Sequence, residues 1–204
     1  MGLRHSATSR ARIHDAALER LLASPHLAAD DALIALAERF AGCDRAAVVA
    51  RLDDVARGLF GTATLPPRAQ ADRLAGALCD TLGLRPVTHA SDALLVDRAL
   101  TTRRAHPLVI AAVGHELARR AGLERRVCRA RTDWWLTLLG DGVLTAIGCS
   151  SATTHPCGPL EAVCPHQLAY ALLAHLGHDG PAEWHELAER FLPSHVDRCA
   201  RRSS

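Results

Sequence analysis

The 204-residue chain contains no lysine and no asparagine, and all 24 of its Lys+Arg positions are arginine. The first absence excludes chemistry that needs a lysine on this chain: a phosphate-loop lysine, a pyridoxal Schiff base or a lysine general base. The second excludes N-glycosylation. Such usage is typical of a GC-rich bacterial genome, so the arginine content reflects codon bias as well as chemistry. Aromatic residues are scarce at 3%, and no apolar run approaches the ~20 residues a membrane helix needs. The amino terminus has no signal-peptide core, and the seven cysteines are odd in number with no framework spacing. Reduced thiols in the cytoplasm are therefore expected. A net charge of +2 is too balanced to announce a nucleic acid or a membrane as partner, and neither is expected.

What is present fits a soluble α+β domain, 49% apolar and 23% charged. A chain of this length buries roughly 70% of its unfolded surface, so it needs neither disulfides nor metal to fold. Residues 1–10 are polar and read as a flexible terminus, followed by a single domain over 11–204. Within it, 11–65 is a helical subregion, 66–150 the core, and 151–204 a loop followed by helices. Apolar residues at three- and four-residue spacing mark successive helical faces: Ile13, Ala17 and Leu21; Leu33, Leu36, Ala37 and Phe40; Val48, Leu52, Val55 and Leu59. Pro66-Pro67 interrupts the pattern. Leu74, Leu78 and Leu82 carry a fourth helix ending near Gly83, and a short one covers about 92–102.

From Pro107 to Ala121 the chain is apolar almost all round, which predicts a buried central helix opened by proline and closed at Gly122. The period then changes. Residues 125–131, 133–139 and 143–148 read as strands of a small antiparallel sheet, with Gly140-Asp141-Gly142 as a tight turn. Residues 149–165 read as a loop, and a helical hairpin follows over about 166–177 and 181–192.

The stretch 74–148 resembles the SirB-one-type proteins of the bacterial transglutaminase-like superfamily. The resemblance is carried by Thr81-Leu82-Gly83-Leu84, Val96-Asp97-Arg98-Ala99-Leu100, Arg103-Arg104-Ala105-His106-Pro107, Arg119-Arg120-Ala121-Gly122-Leu123 and Thr132-Asp133-Trp134-Trp135. It implies a central helix packed on an antiparallel sheet, as in cysteine proteases. In the wider superfamily a cysteine opens that helix, a histidine follows on the next strand and an aspartate on the one after. The helix dipole stabilises the thiolate and the imidazole shuttles the proton. Here the cysteine position falls on Pro107, fifteen residues before Gly122, and the SirB-one-type proteins generally carry proline there too. The histidine position falls on Asp133, eleven residues after Gly122, and the third strand ends in Ile147-Gly148-Cys149. With all three positions changed, ordinary transglutaminase or thiol-protease chemistry is not expected.

The replacements make a candidate catalytic set. His106 stands beside the helix start, Asp133 replaces histidine, and Cys149 ends the third strand; the inherited fold would place all three along one cleft. The plain alternative is a helix-capping histidine, a strand-edge acid and a small buried thiol. Trp134 and Trp135 project to opposite faces of a strand, one expected to anchor the core and the other to face cleft or solvent. Both tryptophans, with Arg103 and Arg131, are candidate substrate contacts. Arg119 to Arg131 is the densest basic stretch, either a bidentate anion holder or a solvated face.

Cys149, Cys157, Cys164 and His166 crowd one region, but their spacing matches no zinc pattern, and free thiols are the simpler account. Cys164 before Pro165 could alternatively be a thiol activated at a helix start. His175 and His178 are three residues apart and can share a helix face. No cofactor is expected. Three functions follow: a divergent enzyme acting on an acyl- or amide-containing small molecule or peptide, a non-catalytic module binding a peptide or partner protein, or a metal or thiol sensor.

Overall fold

The computed structural model describes residues 15–131, 133–140, 143–150, 159–180 and 182–191. Its amino-terminal layer is three helices: α1 (15–23), α2 (Ala29–Ala41) and α3 (Arg45–Arg57). Their limits follow from local chemistry. Asp44 caps α3 by accepting from the Ala46 and Ala47 N–H groups, and Gly42 ends α2 in a left-handed conformation (φ 72°) that costs glycine little. Next comes α4 (Pro67–Gly76), continued by a π turn over Ala77–Thr81. A two-residue strand β1 (Arg85–Pro86), a 3₁₀ turn (Ser91–Leu94), helix α5 (Val96–Thr102) and strand β2 (Arg104–Ala105) lead to the central helix. The expected helix over about 92–102 is thus divided between the 3₁₀ turn and α5. β1 and β2 pair in parallel, Arg85 with Arg104 and Pro86 with Ala105, which fixes the approach to that helix.

The central helix α6 (Pro107–Arg120) is buried on nearly every side. It lies on an antiparallel sheet of β3 (Arg125–Ala130), β4 (Asp133–Gly140), β5 (Val143–Gly148) and β6 (Glu161–Val163), in the order β5-β4-β3-β6. Trp134, Leu136 and Leu138 alternate onto the helix side, as a period of two requires. At Gly114 helix and sheet approach closely: a Cβ there would stand 2.8 Å from Leu136 Cδ2 and 3.1 Å from Leu78 Cδ1. Helices α7 (Pro165–Asp179) and α8 (Ala182–Phe191) close the fold as a hairpin. Phe40 of α2 meets Trp184 of α8 edge-on, with centroids 5.3 Å apart. One apolar cluster runs from Leu18 to Leu176.

The chain is therefore α+β, with a central helix on a small antiparallel sheet and a helical hairpin following it. β6 is a departure from the sequence expectation, which assigned 149–165 to a loop. Three residues flanked by Leu160 and Cys164 carry too little pattern to register as a strand; pairing with β3, Val127 to Val163, defines it. The expected flexible terminus (1–10) and the Asp141-Gly142 part of the tight turn lie outside the described residues. Among the described residues no helix is long and apolar enough to cross a membrane.

The start of the basic stretch serves the fold. Glu116 is fully buried and accepts from Arg119 (2.6 and 2.8 Å) and Arg120 (2.6 Å). Burial alone would raise its carboxyl pKa, but the hydrogen bonds from Arg119 and Arg120 outweigh that and hold it below the ordinary range. Arg120 also reaches Asp30 of α2 at 2.9 Å and Asp53 of α3. One guanidinium thus joins α6 to two helices of the amino-terminal layer.

Candidate functional site

The site begins at the first turn of α6. His106 is its N-cap, and the imidazole Nδ1 accepts from the Leu108 N–H at 3.2 Å. Pro107 has no N–H to offer, and those of Val109 and Ile110 go to the His106 carbonyl at 2.8 and 3.1 Å. Every donor of that turn is consumed internally. The His106 N–H donates in turn to Ala93 O at 2.9 Å, tying the residue to the 3₁₀ turn.

This arrangement sets the protonation of His106. The residue is 6% exposed. Burial, then the charge of His175, depresses its pKa to about 4. The ring is neutral at pH 7, and because Nδ1 is an acceptor the proton resides on Nε2. His106 can therefore donate to a substrate oxygen, but its basic lone pair is occupied by the helix. Of the acid/base role expected for a catalytic His106, this geometry leaves the donor half open and occupies the acceptor half.

A cleft of about 640 Å³ opens beside this ring. His106 and Pro107 form its floor, Thr88 and His89 one rim, and Asp133, Trp134 and Ser150 the sheet side. The last turn of α7 supplies the opposite wall with Ala174, His175, His178 and Asp179. The His175 ring lies 4.6 Å from that of His106, centroid to centroid, tilted by 47°. Asp179 stands four residues after His175, so the helix places its Oδ2 3.6 Å from His175 Nδ1. Its other oxygen is 2.8 Å from His178 Nδ1. The His178 hydrogen bond first, and the nearby histidine charges after it, hold the Asp179 carboxyl below its usual pKa, against the opposing effect of burial. Asp133 opens β4 opposite Ala130, and its Oδ1 accepts from the Ser150 hydroxyl at 3.3 Å.

His106, Asp133 and Trp134 thus border one cleft, whereas Cys149 does not join them. Its N–H donates to Trp134 O at 3.1 Å, and its thiol lies in the core, 3% exposed and 3.7 Å from Ile147 O. Burial pushes that thiol up to about 12, so Cys149 is a packing residue rather than a nucleophile. Trp135, 1% exposed, occupies the other face of the sheet with Cys128 and Ala130 and does not line this cleft. The expectation that one tryptophan packs and the other faces a cleft or solvent is corrected. Trp134 does both jobs, and Trp135 is buried beneath its own small cluster.

Neither Arg103 nor Arg131 borders the cleft. Arg103 adopts φ 61° after α5, and its alkyl chain runs over Gly83, where a Cβ would stand 3.0 Å from its Cδ. Arg131 adopts φ 54° in the exposed β3–β4 turn. In the cysteine region, Cys164 forms a capping box with Gln167 at the start of α7, and His166 Nε2 lies 2.8 Å from the Ser24 carbonyl. Both perform structural tasks, while Cys157 lies outside the described residues. Among the described residues no three His, Cys, Asp or Glu side chains are grouped to hold a metal.

Sequence reasoning placed His175 and His178 on one helix face but passed over Asp179 as their acidic partner. The signal was the four-residue step from His175 to Asp179 beside His178, which puts two imidazoles and a carboxylate around one helix end. Thr88 and His89 carry no comparable signal; the β1–β2 pairing brings them to the rim. The chain matches no protein-family model, no curated protein and no solved structure.

Proposed function

We propose that this chain is a divergent transglutaminase-like enzyme that transfers an acyl group to water, acting on an ester or amide of a small molecule or peptide. The observation that carries the reading is the pairing of a buried, neutral His106 with His175 at 4.6 Å, with Asp179 behind His175. Two imidazoles in unlike environments divide the labour of acid/base catalysis. His106 donates its Nε2 hydrogen to the carbonyl oxygen, on which negative charge grows as the carbon becomes tetrahedral. His175, its Nδ1 turned toward Asp179, takes a proton from water through Nε2. A carbon–oxygen bond forms, the bond to the leaving group breaks, and the same proton passes from His175 to the leaving atom. No residue nucleophile is needed.

The superfamily reading is supported by the order of parts: a helix opened at Pro107, then a hairpin whose first cleft residue is Asp133. Changed chemistry at these positions accords with the altered triad. The reading extends to work in a reducing cytoplasm, with Cys79, Cys128 and Cys149 among the free thiols.

The test is hydrolysis of p-nitrophenyl acetate and of a glutaminyl peptide by the purified full chain. Removal of His175 as His175→Ala is expected to lower the enzymatic rate by at least about 10²-fold, the usual contribution of a positioned acid/base. A rate above buffer that is unchanged in His175→Ala refutes the assignment. A binding module would need an exposed apolar face; among the described residues the exposed large apolar side chains are Phe60 and Leu144, and neither borders the cleft.

A further inference from the structure

The space beside His106 continues past Trp134. A second cavity of about 370 Å³ adjoins the first, and both are lined by Trp134 and Ala174. Resting on the acyl-transfer reading above, we infer that this second cavity is a peptide subsite. The reacting group belongs to a residue within an extended peptide, and a neighbouring apolar side chain of that peptide enters here while the carbonyl meets His106.

The first ground is continuity. Helix α7 lines both cavities with one stripe: Gln167, Tyr170, Ala171 and Ala174 beside the second, then Ala174, His175 and His178 beside the first. Steps of three and four residues keep these positions on one helix face. From Gln167 to His178 a helix rises about 16 Å at 1.5 Å per residue. An extended chain covers that length with about five residues. The sheet supplies the facing side as a row across its strands. Trp134 of β4 pairs with Arg129 of β3, and Arg129 pairs with Glu161 of β6, so the three share one face. That row leads from the cavity at His106 to β6, and a compact substrate would leave most of it unused.

The second ground is the chemistry of the lining. Trp134, Val163, Tyr170, Ala171 and Ala174 offer the second cavity an apolar and aromatic surface, which suits an apolar side chain. Arg129 and Glu161 border the same cavity as an exposed pair, Nη2 to Oε2 at 3.5 Å. A pair so long and so exposed contributes little to the fold. Arg129 can donate to a carbonyl and Glu161 can accept from an N–H, and a peptide group presents one of each. A hydrocarbon chain presents neither. The pairing of an apolar surface with one donor arm and one acceptor arm therefore favours a peptide over an acyl chain.

The experiment uses three probes built on 5-oxonorleucine, the methyl-ketone isostere of glutamine, whose side chain cannot be hydrolysed. They are its N-acetyl methylamide, a blocked pentapeptide with leucine on each side of it, and its N-octanoyl methylamide. Each is titrated calorimetrically into the full-length chain at pH 7.5. The pentapeptide is expected to bind at least tenfold more tightly than the single residue and more tightly than the octanoyl probe. Ala171 lines the second cavity and not the first, so Ala171→Trp should bring the pentapeptide down to the affinity of the single residue. Arg129→Ala should cut the tenfold advantage to about threefold or less, and it decides alone if Ala171→Trp melts well below the parent. A pentapeptide that binds no more tightly than the single residue, or not at all, overturns the inference. So does an advantage that survives these substitutions, and so does tighter binding of the octanoyl probe, which would make the cavity an acyl-chain site. Turnover of p-nitrophenyl acetate by the unmodified chain is scored separately. Turnover without a pentapeptide advantage refutes this inference and leaves the acyl-transfer reading standing; the advantage without turnover refutes the catalytic reading and leaves the peptide subsite.

Discussion

Acid should unfold this protein in part through His106, and the size of that effect can be worked from its environment. The free imidazole titrates near 6.5 and the buried one at about 4. The neutral ring is therefore the form that folding favours. Its contribution is complete above pH 6.5 and is lost as the pH falls toward 4, because the unfolded chain gains a proton that the folded chain refuses. Over most of the interval from 6.5 to 5 the difference is nearly one proton. At about 1.4 kcal/mol per pH unit, stability at pH 5 should be lower by about 2 kcal/mol from this residue alone. The perturbation is His106→Asn, which keeps a good N-cap acceptor for the Leu108 N–H and removes the titration. Urea unfolding of both proteins at pH 7.5 and pH 5 is the assay. The variant should start less stable, having lost ring packing, and should lose about 2 kcal/mol less than the parent on acidification. In melting temperature that is about 4–8 °C for a chain of this size. If parent and variant lose the same stability between the two pH values, the burial argument for His106 is wrong, and with it the neutral-donor role.

Other expectations follow from the same structure. His115 is depressed to about 4 as well, by burial and then by the Arg125 charge; its ring Nδ1 has no partner among the described residues. His115→Gln should relieve acid sensitivity over the same pH window, adding to His106→Asn in the same urea titrations. Glu116→Gln should cost about 3 kcal/mol in chemical denaturation, because it weakens a fully buried acceptor of two arginines. Arg129→Ala, which removes an exposed 3.5 Å pair with Glu161, should cost under about 1 kcal/mol; equal costs would contradict the burial argument. Gly114→Ala should destabilise by about 1–2 kcal/mol in spite of alanine's helix preference, since Leu136 and Leu78 are buried and have little room to yield. Finally, peptide mapping after treatment of the native chain with a thiol reagent should find Cys79 and Cys164 labelled early. Cys128 and Cys149 should label only on unfolding.

The parts most legible in the sequence are those whose signals are local. Pro107 and Gly122 bracket α6 because proline suits a first helical turn and glycine a left-handed exit; Gly122 adopts φ 73°. The change from helical spacing to alternation after Leu123 marks the sheet, and β3, β4 and β5 fall where the alternation places them. β6 and the β1–β2 pair were illegible because pairing between distant segments creates them, with only two or three residues each. At the cleft, His106 and Asp133 stood out as ionisable residues at unusual positions. That His106 has only its donor nitrogen free of the helix did not, because it depends on which ring nitrogen the Leu108 N–H reaches. Cys149 misled in a similar way: just past the end of β5 its side chain turns into the core, while Ser150 beside it meets Asp133. Trp134 and Trp135 were correctly placed on opposite faces, but the coverage of the outer face by Leu160 depends on the chain returning from far along the sequence.

The Arg120 clasp has a consequence for how the chain is made. Asp30 and Asp53 emerge from the ribosome more than sixty residues before the cation that neutralises them. Until α6 has been synthesised, α2 must keep the largely buried Asp30 hydrated and cannot settle into its final seat. A nascent chain halted before residue 120 should therefore remain protease-sensitive throughout its first half, however much helix it already contains.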